Sequence, residues 1–383
     1  MGENSSQTIV NGTIQCKVDT VIYGVHQISE TKIVVGGGGG NEVNINMIAI
    51  LEYVSESGFR IAEKMVLDKD DVVWEMAVNN KRKIICFTTT TKLVLLKFEE
   101  NNEIKQKCSI ELKSKDEEDR DKKFVNISSD GTKVIVCDDF NNIQIFQVSE
   151  DYQLTLKQTI PNANQTLNFN DLKIIDHQDD IYIAATVTST STKNTLKRLA
   201  VWKYAKDGSY ELLLDEDSVP KRDTYQFKKC AFSKTNQGLF LLLMCTGNRT
   251  QPTVIVKYKI NNSKLFYQNQ SNVFSKACPV MCTSRENEEE GFIGIGTPDN
   301  GVVVYNVDTF KKYSDVQKIH GLGVTCCDVL FLKDQNKIIV CTGSIDKHVA
   351  VHDVKATAPS GSNLVFYIAF LVLLLAIYMY LGK

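Results

Sequence analysis

The segment that decides the fold is Cys341-Thr-Gly-Ser-Ile-Asp-Lys-His-Val-Ala-Val-His-Asp353. It contains a polar turn around Asp346, and runs rich in β-branched residues at positions 337–341 and 349–354 lie on either side of that turn. Short β-branched runs that are bounded by polar turns are typical of paired strands. The segment therefore predicts a β-hairpin.

The same hairpin pattern recurs seven times along the chain. Its period is roughly 45–55 residues, and a period of this size indicates a repeat architecture. No long amphipathic helical stretch precedes residue 364, so the repeats predict an all-β fold. The first runs of the seven pairs are residues 32–35, 83–88, 133–137, 181–187, 239–244, 292–296 and 337–341, and the second runs are 47–53, 92–98, 143–148, 198–204, 254–260, 301–307 and 349–354.

The last repeat resembles a WD-repeat blade. It begins at His320-Gly321, and His352-Asp353 stands where that repeat usually has Trp-Asp. The resemblance implies a seven-bladed WD-repeat β-propeller, in which radial closure protects the sheet edges. It also implies that His320 bonds within its own blade. We predict that residues 8–18 complete the last blade and so close the ring.

An apolar segment at residues 364–381 contains no charge and no proline, and twelve of its eighteen residues are Leu, Ile, Val or Phe. As a helix it spans about 27 Å, close to the thickness of a thin bilayer. These residues favour insertion by roughly 4–7 kcal/mol. We predict a cytosolic propeller at residues 1–355, a linker at 356–363, a single C-terminal transmembrane helix at 364–381 and a luminal end at 382–383.

The N-terminal residues, the cysteines and the net charge indicate the compartment of the protein and the kind of partner it binds. The first residues lack the basic and apolar regions of a secretory signal, and the eleven scattered cysteines are typical of buried thiols in a reducing compartment. The net charge of −2 predicts no nucleic-acid partner. We expect a cytosolic domain on the endoplasmic reticulum membrane, although anchors of the mitochondrial outer membrane have similar tails.

A hydrolytic enzyme is a weaker alternative, because the sequence has no nucleophile motif and its five histidines lack zinc-ligand spacing. His348 and His352 would lie about 13 Å apart on one face of a strand, which is too far to share a metal.

A run of five glycines beginning at Gly36 connects the two strands of the first repeat. Consecutive glycines lose much conformational entropy on ordering, and a simple hairpin needs only one or two. The run is therefore either a loop with a required backbone shape or a disordered hairpin tip. It lacks the Gly-Lys-Ser/Thr of a phosphate-binding loop, and β-type sequence follows it instead of a helix.

The first repeat resembles the first blade of the guanine nucleotide exchange factors of endoplasmic reticulum exit, the prolactin regulatory element-binding protein family. The residues that carry the resemblance are Tyr23-Gly24, the glycine run and Asn46, and the family also combines a propeller with a C-terminal transmembrane helix. The resemblance implies that the chain exchanges GDP for GTP on a Sar-type small GTPase, which starts COPII coat assembly, without covalent chemistry of its own. The alternative is a non-catalytic WD-repeat scaffold tethered to the membrane.

The resemblance also implies the site residues. An exchange loop of Val43, Asn44, Ile45 and Asn46 contacts the GTPase. The loop carries a potassium ion, and the implied ligands are Gly36, Gly37, Gly38, Gly39 and Asn46. This chain has Asn44 where the family has its apolar tip residue, so either Ile45 or Val43 supplies the apolar contact.

Overall fold

A computed structural model of the protein describes residues 7–10, 13–39, 45–54, 58–112, 123–138, 140, 142–161, 167–189, 197–216, 225–246, 252–274, 280–285 and 290–355. The predicted linker at 356–363 and the predicted transmembrane helix at 364–381 lie outside these residues. Within them, no helix is long and apolar enough to cross a membrane.

The described part of the chain begins with the hairpin of β1 (Gln7–Val10) and β2 (Thr13–Lys17). Seven blades follow, and in each of them the first strand lies innermost. Blade 1 contains β3 (Ile22–Gln27), β4 (Lys32–Gly37), β5 (Met47–Val54) and β6 (Gly58–Val66). Blade 2 contains β7 (Glu75–Asn79), β8 (Ile84–Thr88), β9 (Lys92–Phe98) and β10 (Ile104–Glu111). Blade 3 contains β11 (Val125–Ile127), β12 (Lys133–Cys137), β13 (Ile143–Val148) and β14 (Leu154–Ile160).

The later blades repeat the arrangement. Blade 4 contains β15 (Leu167–His177), β16 (Asp180–Ser189), β17 (Lys197–Tyr204) and β18 (Tyr210–Glu216). Blade 5 contains β19 (Gln226–Thr235), β20 (Gly238–Thr246), β21 (Thr253–Asn261) and β22 (Lys264–Phe274). Blade 6 contains β23 (Met281–Arg285), β24 (Phe292–Gly296), β25 (Val302–Asn306) and β26 (Lys312–Val316). Blade 7 contains β27 (Val324–Leu332), β28 (Lys337–Ser344) and β29 (His348–Lys355), with a single 3₁₀ turn at Lys333–Gln335.

Blades 1 to 5 are separate four-stranded sheets, and blades 6 and 7 join in a nine-stranded sheet that also includes β1 and β2. The predicted all-β propeller with seven blades is confirmed.

The N-terminal hairpin closes the ring. Strand β2 pairs antiparallel with β29, with Ile14 opposite Val351 and Lys17 opposite His348. This pairing confirms that an N-terminal strand completes the last blade. The predicted stretch 8–18 forms two strands, because β1 folds back on β2 as a fifth strand. The two ends of the propeller are thus held together by backbone hydrogen bonds.

The core lies between the blades. In β4, Ile33 and Val35 pack into a cluster shared with blade 7, while Val34 packs into a cluster shared with blade 2. Successive side chains of a strand point to opposite faces, and here both faces are covered by a neighbouring blade. The second and third strands of each blade therefore contain nearly continuous apolar runs, and these are the runs visible in the sequence.

Candidate functional site

The connections between strands define two faces of the ring. Val18 N–H donates to Lys347 O at 2.9 Å, and Ile45 N–H donates to Asp19 O at 3.4 Å. These bonds join the β28–β29, β2–β3 and β4–β5 connections on one face, which we call the loop face. Strand β29 begins at the loop face and runs away from it, so it ends at Lys355 on the opposite face.

The glycine run is divided between a strand and the loop face. Gly36 and Gly37 end β4, where they pair with residues of both β3 and β5. Gly38 and Gly39 continue beyond the strand, and the chain returns through Ile45 and Asn46 into β5. Residues 40–44 lie outside the described part of the chain, and they include the predicted contact residues Val43 and Asn44.

The backbone around Gly37 and Gly39 requires glycine. A Cβ on Gly37 would lie 1.8 Å from the carbonyl oxygen of Val21, which belongs to the backbone and cannot move aside. Gly39 has a φ of +92°, in the region that favours glycine. At Gly37 and Gly39 the structure therefore has a physical reason for glycine. This favours the interpretation that residues 36–39 have a required backbone shape.

Asn46 joins the two sides of the loop. Its side-chain Oδ1 accepts the N–H of Gly39 at 2.9 Å, and its Nδ2 donates to Asp68 O at 3.0 Å and to Lys69 O at 2.7 Å. Its own carbonyl oxygen accepts the N–H of Leu67 at 2.8 Å. The side chain is buried, so leaving its polar atoms without these partners would cost free energy. We call this set of bonds the Asn46 clamp.

The loop face also carries exposed apolar side chains. Ile45 is 38% exposed, and Leu322 and Ile345 of the last blade are 52% and 46% exposed. Leu322 lies in the segment that enters blade 7, and Ile345 N–H approaches Gly323 O at 3.5 Å, so both residues belong to this face. Leu322 and Ile345 were not predicted from the sequence. The signal was an isolated apolar residue between turn-forming residues, in Gly-Leu-Gly and Ser-Ile-Asp.

The last blade contains a buried polar cluster that confirms the role predicted for His320. His320 Nε2 lies 2.8 Å from Thr342 Oγ1, and His320 Nδ1 lies 3.4 Å from Asp346 Oδ1. Asp346 also accepts the N–H of Gly321 at 2.7 Å and the N–H of His348 at 3.0 Å. Burial alone would raise the pKa of Asp346, but the bond to His320 and the two N–H groups outweigh it and hold the pKa well below its usual range.

The Asp346 cluster should make the last blade sensitive to acid. A depressed carboxyl pKa contributes stability that is complete above the unfolded pKa of about 4 and is lost as the pH falls toward the lower folded pKa. We therefore expect Asp346→Asn to lower the free energy of unfolding by about 2 kcal/mol at pH 7 and to remove part of the decline below pH 4. Urea unfolding at several pH values measures both. Asp353→Asn is the matched control, because Asp353 is exposed and its ion pair with Lys337 lies on the surface. Equal pH profiles for the two variants would contradict a stabilising role of the Asp346 cluster.

His348 and His352 bond to separate groups. His348 Nδ1 lies 2.9 Å from Asp346 O, whereas His352 lies between Thr13 Oγ1 at 3.2 Å and Ser314 Oγ at 3.3 Å. His348 therefore bonds within its own turn, whereas His352 connects the last blade to the closing strand β2 and to β26 of blade 6.

The innermost strands surround a central channel with a cavity of about 620 Å³. Lys173 Nζ lies 3.2 Å from Glu75 Oε1 and 3.6 Å from Asp171 Oδ1, and Lys229 Nζ lies 3.7 Å from the same Asp171 oxygen. Burial alone would lower the pKa of Lys173, but Asp171 and Glu75 outweigh it and raise that pKa. These charge pairs link blades 2, 4 and 5 across the channel.

Comparison with known proteins places the chain by its fold. No protein-family model matches it, and no curated protein matches it in sequence. Among solved structures it is similar to the beta-propeller domain of Cps50 (Swd1) from Myceliophteria thermophila, with a TM-score of 0.60 and 9% identity, covering 88% of this chain and 99% of that one. It is also similar to Sqt1 of Saccharomyces cerevisiae, with a TM-score of 0.56 and 11% identity, covering 92% of this chain and 100% of that one. At these identities the likeness establishes one conclusion, which is that the chain is a β-propeller.

Proposed function

We propose that the chain is a guanine nucleotide exchange factor, which releases GDP from a Sar-type small GTPase at the endoplasmic reticulum membrane and so starts COPII coat assembly. The observation that carries the proposal is the connection between β4 and β5, whose two sides are joined by the Asn46 clamp and which presents Ile45 to solvent. This is the position at which the sequence resembles the exchange-factor family.

Exchange requires the factor to bind the nucleotide-free GTPase more tightly than the GDP-bound form. A loop that is ordered before docking loses less entropy on binding, so more of its contact energy is available for displacing the nucleotide. The Asn46 clamp supplies such order at the base of the loop.

A potassium ion fits part of the predicted ligand set. Gly36 and Gly37 pair with both neighbouring strands, so their backbone groups belong to the sheet and we do not include them among the ion ligands. Gly38, Gly39 and Asn46 lie where the chain leaves and rejoins the sheet, and carbonyl and amide oxygens are the ligands that hard cations prefer. These three residues would hold the ion, whose positive charge would tie the two sides of the loop together.

The direction of the chain orients the proposed site relative to the proposed membrane anchor. Strand β29 ends at Lys355 on the face opposite the loop face. Eight linker residues at 356–363 span at most about 29 Å. With a transmembrane helix at 364–381, the face opposite the loop face lies toward the bilayer and the exchange loop is directed into the cytosol, where it can meet a soluble GTPase.

The proposal is tested by release of a fluorescent GDP analogue from a Sar-type GTPase, with the full chain reconstituted in liposomes. We expect release to accelerate with the concentration of the chain, and a GTPase of another family serves as the control. If a saturating concentration of the chain does not accelerate release of the GDP analogue, the proposed exchange activity is contradicted.

Potassium should be required for full activity. We expect replacement of potassium by choline at constant ionic strength to slow exchange several-fold and to increase amide hydrogen exchange at Gly38 and Gly39, because an ion that binds the ordered loop stabilises it by mass action. Hydrogen exchange of β12 in blade 3, far from the loop, is the internal control. If both the amide protection of Gly38 and Gly39 and the rate of nucleotide exchange stay unchanged, the potassium site is contradicted. The proposed exchange activity is not affected by that outcome.

A membrane-tethered scaffold without exchange activity is the second candidate. It is favoured by the exposed side chains of Leu322 and Ile345, because clustered apolar side chains on a surface mark sites of protein contact. On this alternative, release of GDP would not accelerate and the glycine loop would be dispensable for partner binding.

A further inference from the structure

Two cysteines from neighbouring blades meet at the wall of the central channel. Cys282 lies on β23 of blade 6 and Cys327 on β27 of blade 7, and their sulfur atoms are 3.1 Å apart. Both are free thiols, and both line the channel cavity. The contact therefore brings two nucleophilic groups together at a place that solvent can reach.

The backbone holds the two residues in register. Strands β23 and β27 form a short parallel ladder, with Ser284 opposite Val329 and Arg285 opposite Leu330. In the described part of the chain, this is the one junction at which neighbouring blades are joined by a ladder between their innermost strands. Cys282 and Cys327 each lie two residues before Ser284 and Val329, so their side chains point to the same side of the two strands.

The adjacent strand leaves room for both sulfur atoms. A Cβ on Gly294 of β24 would lie 3.2 Å from Cys282 Sγ and 3.9 Å from Cys327 Sγ, and it would approach Val329 Cγ2 to 2.7 Å. Any larger residue at position 294 would push this wall toward the thiols. The arrangement of β23, β24 and β27 thus accommodates a pair of sulfur atoms in contact.

We propose that Cys282 and Cys327 are a reversible disulfide site, oxidised through the central channel by a peroxide, and that the bond covalently clamps blade 6 to blade 7. Disulfides in a reducing compartment are transient and redox-sensing, so the reduced pair is the resting form.

The chemistry assigns a different role to each thiol. Cys282 is the more exposed of the two, and as a thiolate it attacks one oxygen of hydrogen peroxide, which gives a sulfenic acid and releases hydroxide. The hydrogen bond to Cys282 and burial both raise the pKa of Cys327, so this thiol keeps its proton until the second step. Cys327 sulfur then attacks the sulfenic sulfur, the S–S bond forms, and the sulfenic oxygen leaves as water with the thiol proton. In total two thiols and one peroxide give one disulfide and two waters.

The bond would restrain the propeller next to the closing blade. It closes a loop between positions 45 residues apart, which includes β24, β25 and β26 of blade 6. Oxidation should therefore slow amide hydrogen exchange in β23 and β27 and raise the unfolding midpoint by several degrees. A dithiol such as dithiothreitol should reverse both effects.

The test is oxidation of the folded full chain by hydrogen peroxide, followed by non-reducing digestion and mass spectrometry. We expect a linked peptide pair that contains Cys282 and Cys327, with the loss of two hydrogen atoms, and we expect dithiothreitol to abolish it. Cys282→Ser and Cys327→Ser should each eliminate the linked pair. Cys326→Ser is the matched control and should keep it, because Cys326 lines the same channel and packs toward blade 1.

A wild-type measurement makes the test independent of how well the variants fold. Differential alkylation of the native protein before and after oxidation should show Cys282 and Cys327 becoming protected together, while the partly exposed Cys108 still reacts with the alkylating reagent. Independent oxidation of the two residues, or a linked pair that forms only after denaturation, would overturn the proposal. None of these outcomes depends on nucleotide exchange.

Discussion

Replacement of both Val43 and Ile45 by alanine should slow nucleotide exchange on a Sar-type GTPase at least about tenfold, because truncation of a hot-spot residue at an interface costs about 2 kcal/mol or more. Ile45 is 38% exposed at the foot of the loop, so its truncation removes little contact within the propeller. The unfolding midpoint should therefore stay within a degree or two of the wild type.

Comparison of single variants then separates the two apolar residues of the loop. Ile45→Ala alone tests the side chain that the structure describes, and Val43→Ala alone tests the other predicted contact. Leu212→Ala is the matched control, since Leu212 is 50% exposed on the outer strand of blade 4. An unchanged rate in the double variant would show that the apolar tip is assigned wrongly, whereas an equal loss in Leu212→Ala would show that the effect is not local.

The fold was predictable because each blade has strands that are buried on both sides. All five residues of β8 are buried, as are all five residues of β24, and such runs stand out in a sequence. The outer strands were not predicted, because one side of each faces solvent and their residues are mixed. Strand β10, for example, has one buried residue, Ile104, and mixes charged, polar and apolar residues along its length.

The candidate site was only partly predictable, for a different physical reason. A glycine run shows that the backbone is unusual, but not which contact requires it; the carbonyl oxygen of Val21 near Gly37 comes from another part of the chain. Asn46 was predicted as a loop residue and an ion ligand. Its bonds to Asp68 O and Lys69 O depend on the path of the connection between β6 and β7, which no local pattern specifies. Leu322 and Ile345 are neighbours of the loop only in the sense that they share the loop face, and this face is defined by closure of the ring.

Asn46→Asp should give the largest combined loss of stability and activity. A carboxylate cannot donate to Asp68 O and Lys69 O, so both carbonyl oxygens lose their hydrogen-bond donor and face a buried negative charge instead. Leaving buried polar groups unsatisfied costs about 1–3 kcal/mol, and more where a charge is involved, so we expect the free energy of unfolding to fall by about 3 kcal/mol. Urea unfolding of the full chain, followed by tryptophan fluorescence, measures this loss.

The propeller contains a matched control for this substitution. Asn79 ends β7 on the face opposite the loop face, where its Nδ2 donates to Ser128 O and Ser129 O, both at 2.9 Å. Its Oδ1 accepts the N–H of Arg82 at 3.0 Å, so its side chain makes the same three kinds of bond as the side chain of Asn46. Asn79→Asp should therefore destabilise the propeller to a similar extent.

The two variants should differ in exchange. At a temperature where both proteins remain folded, Asn79→Asp should keep nearly the wild-type exchange rate. The bonds that this substitution breaks lie on the face opposite the loop face, away from the proposed contact with the GTPase. Asn46→Asp should lose at least about tenfold, because the two sides of the loop are no longer joined and the loop must be ordered on docking at an entropic cost. Equal rates in the two variants would mean that the Asn46 clamp stabilises the fold without preparing the loop for exchange, and the proposed mechanism would then lose its structural basis.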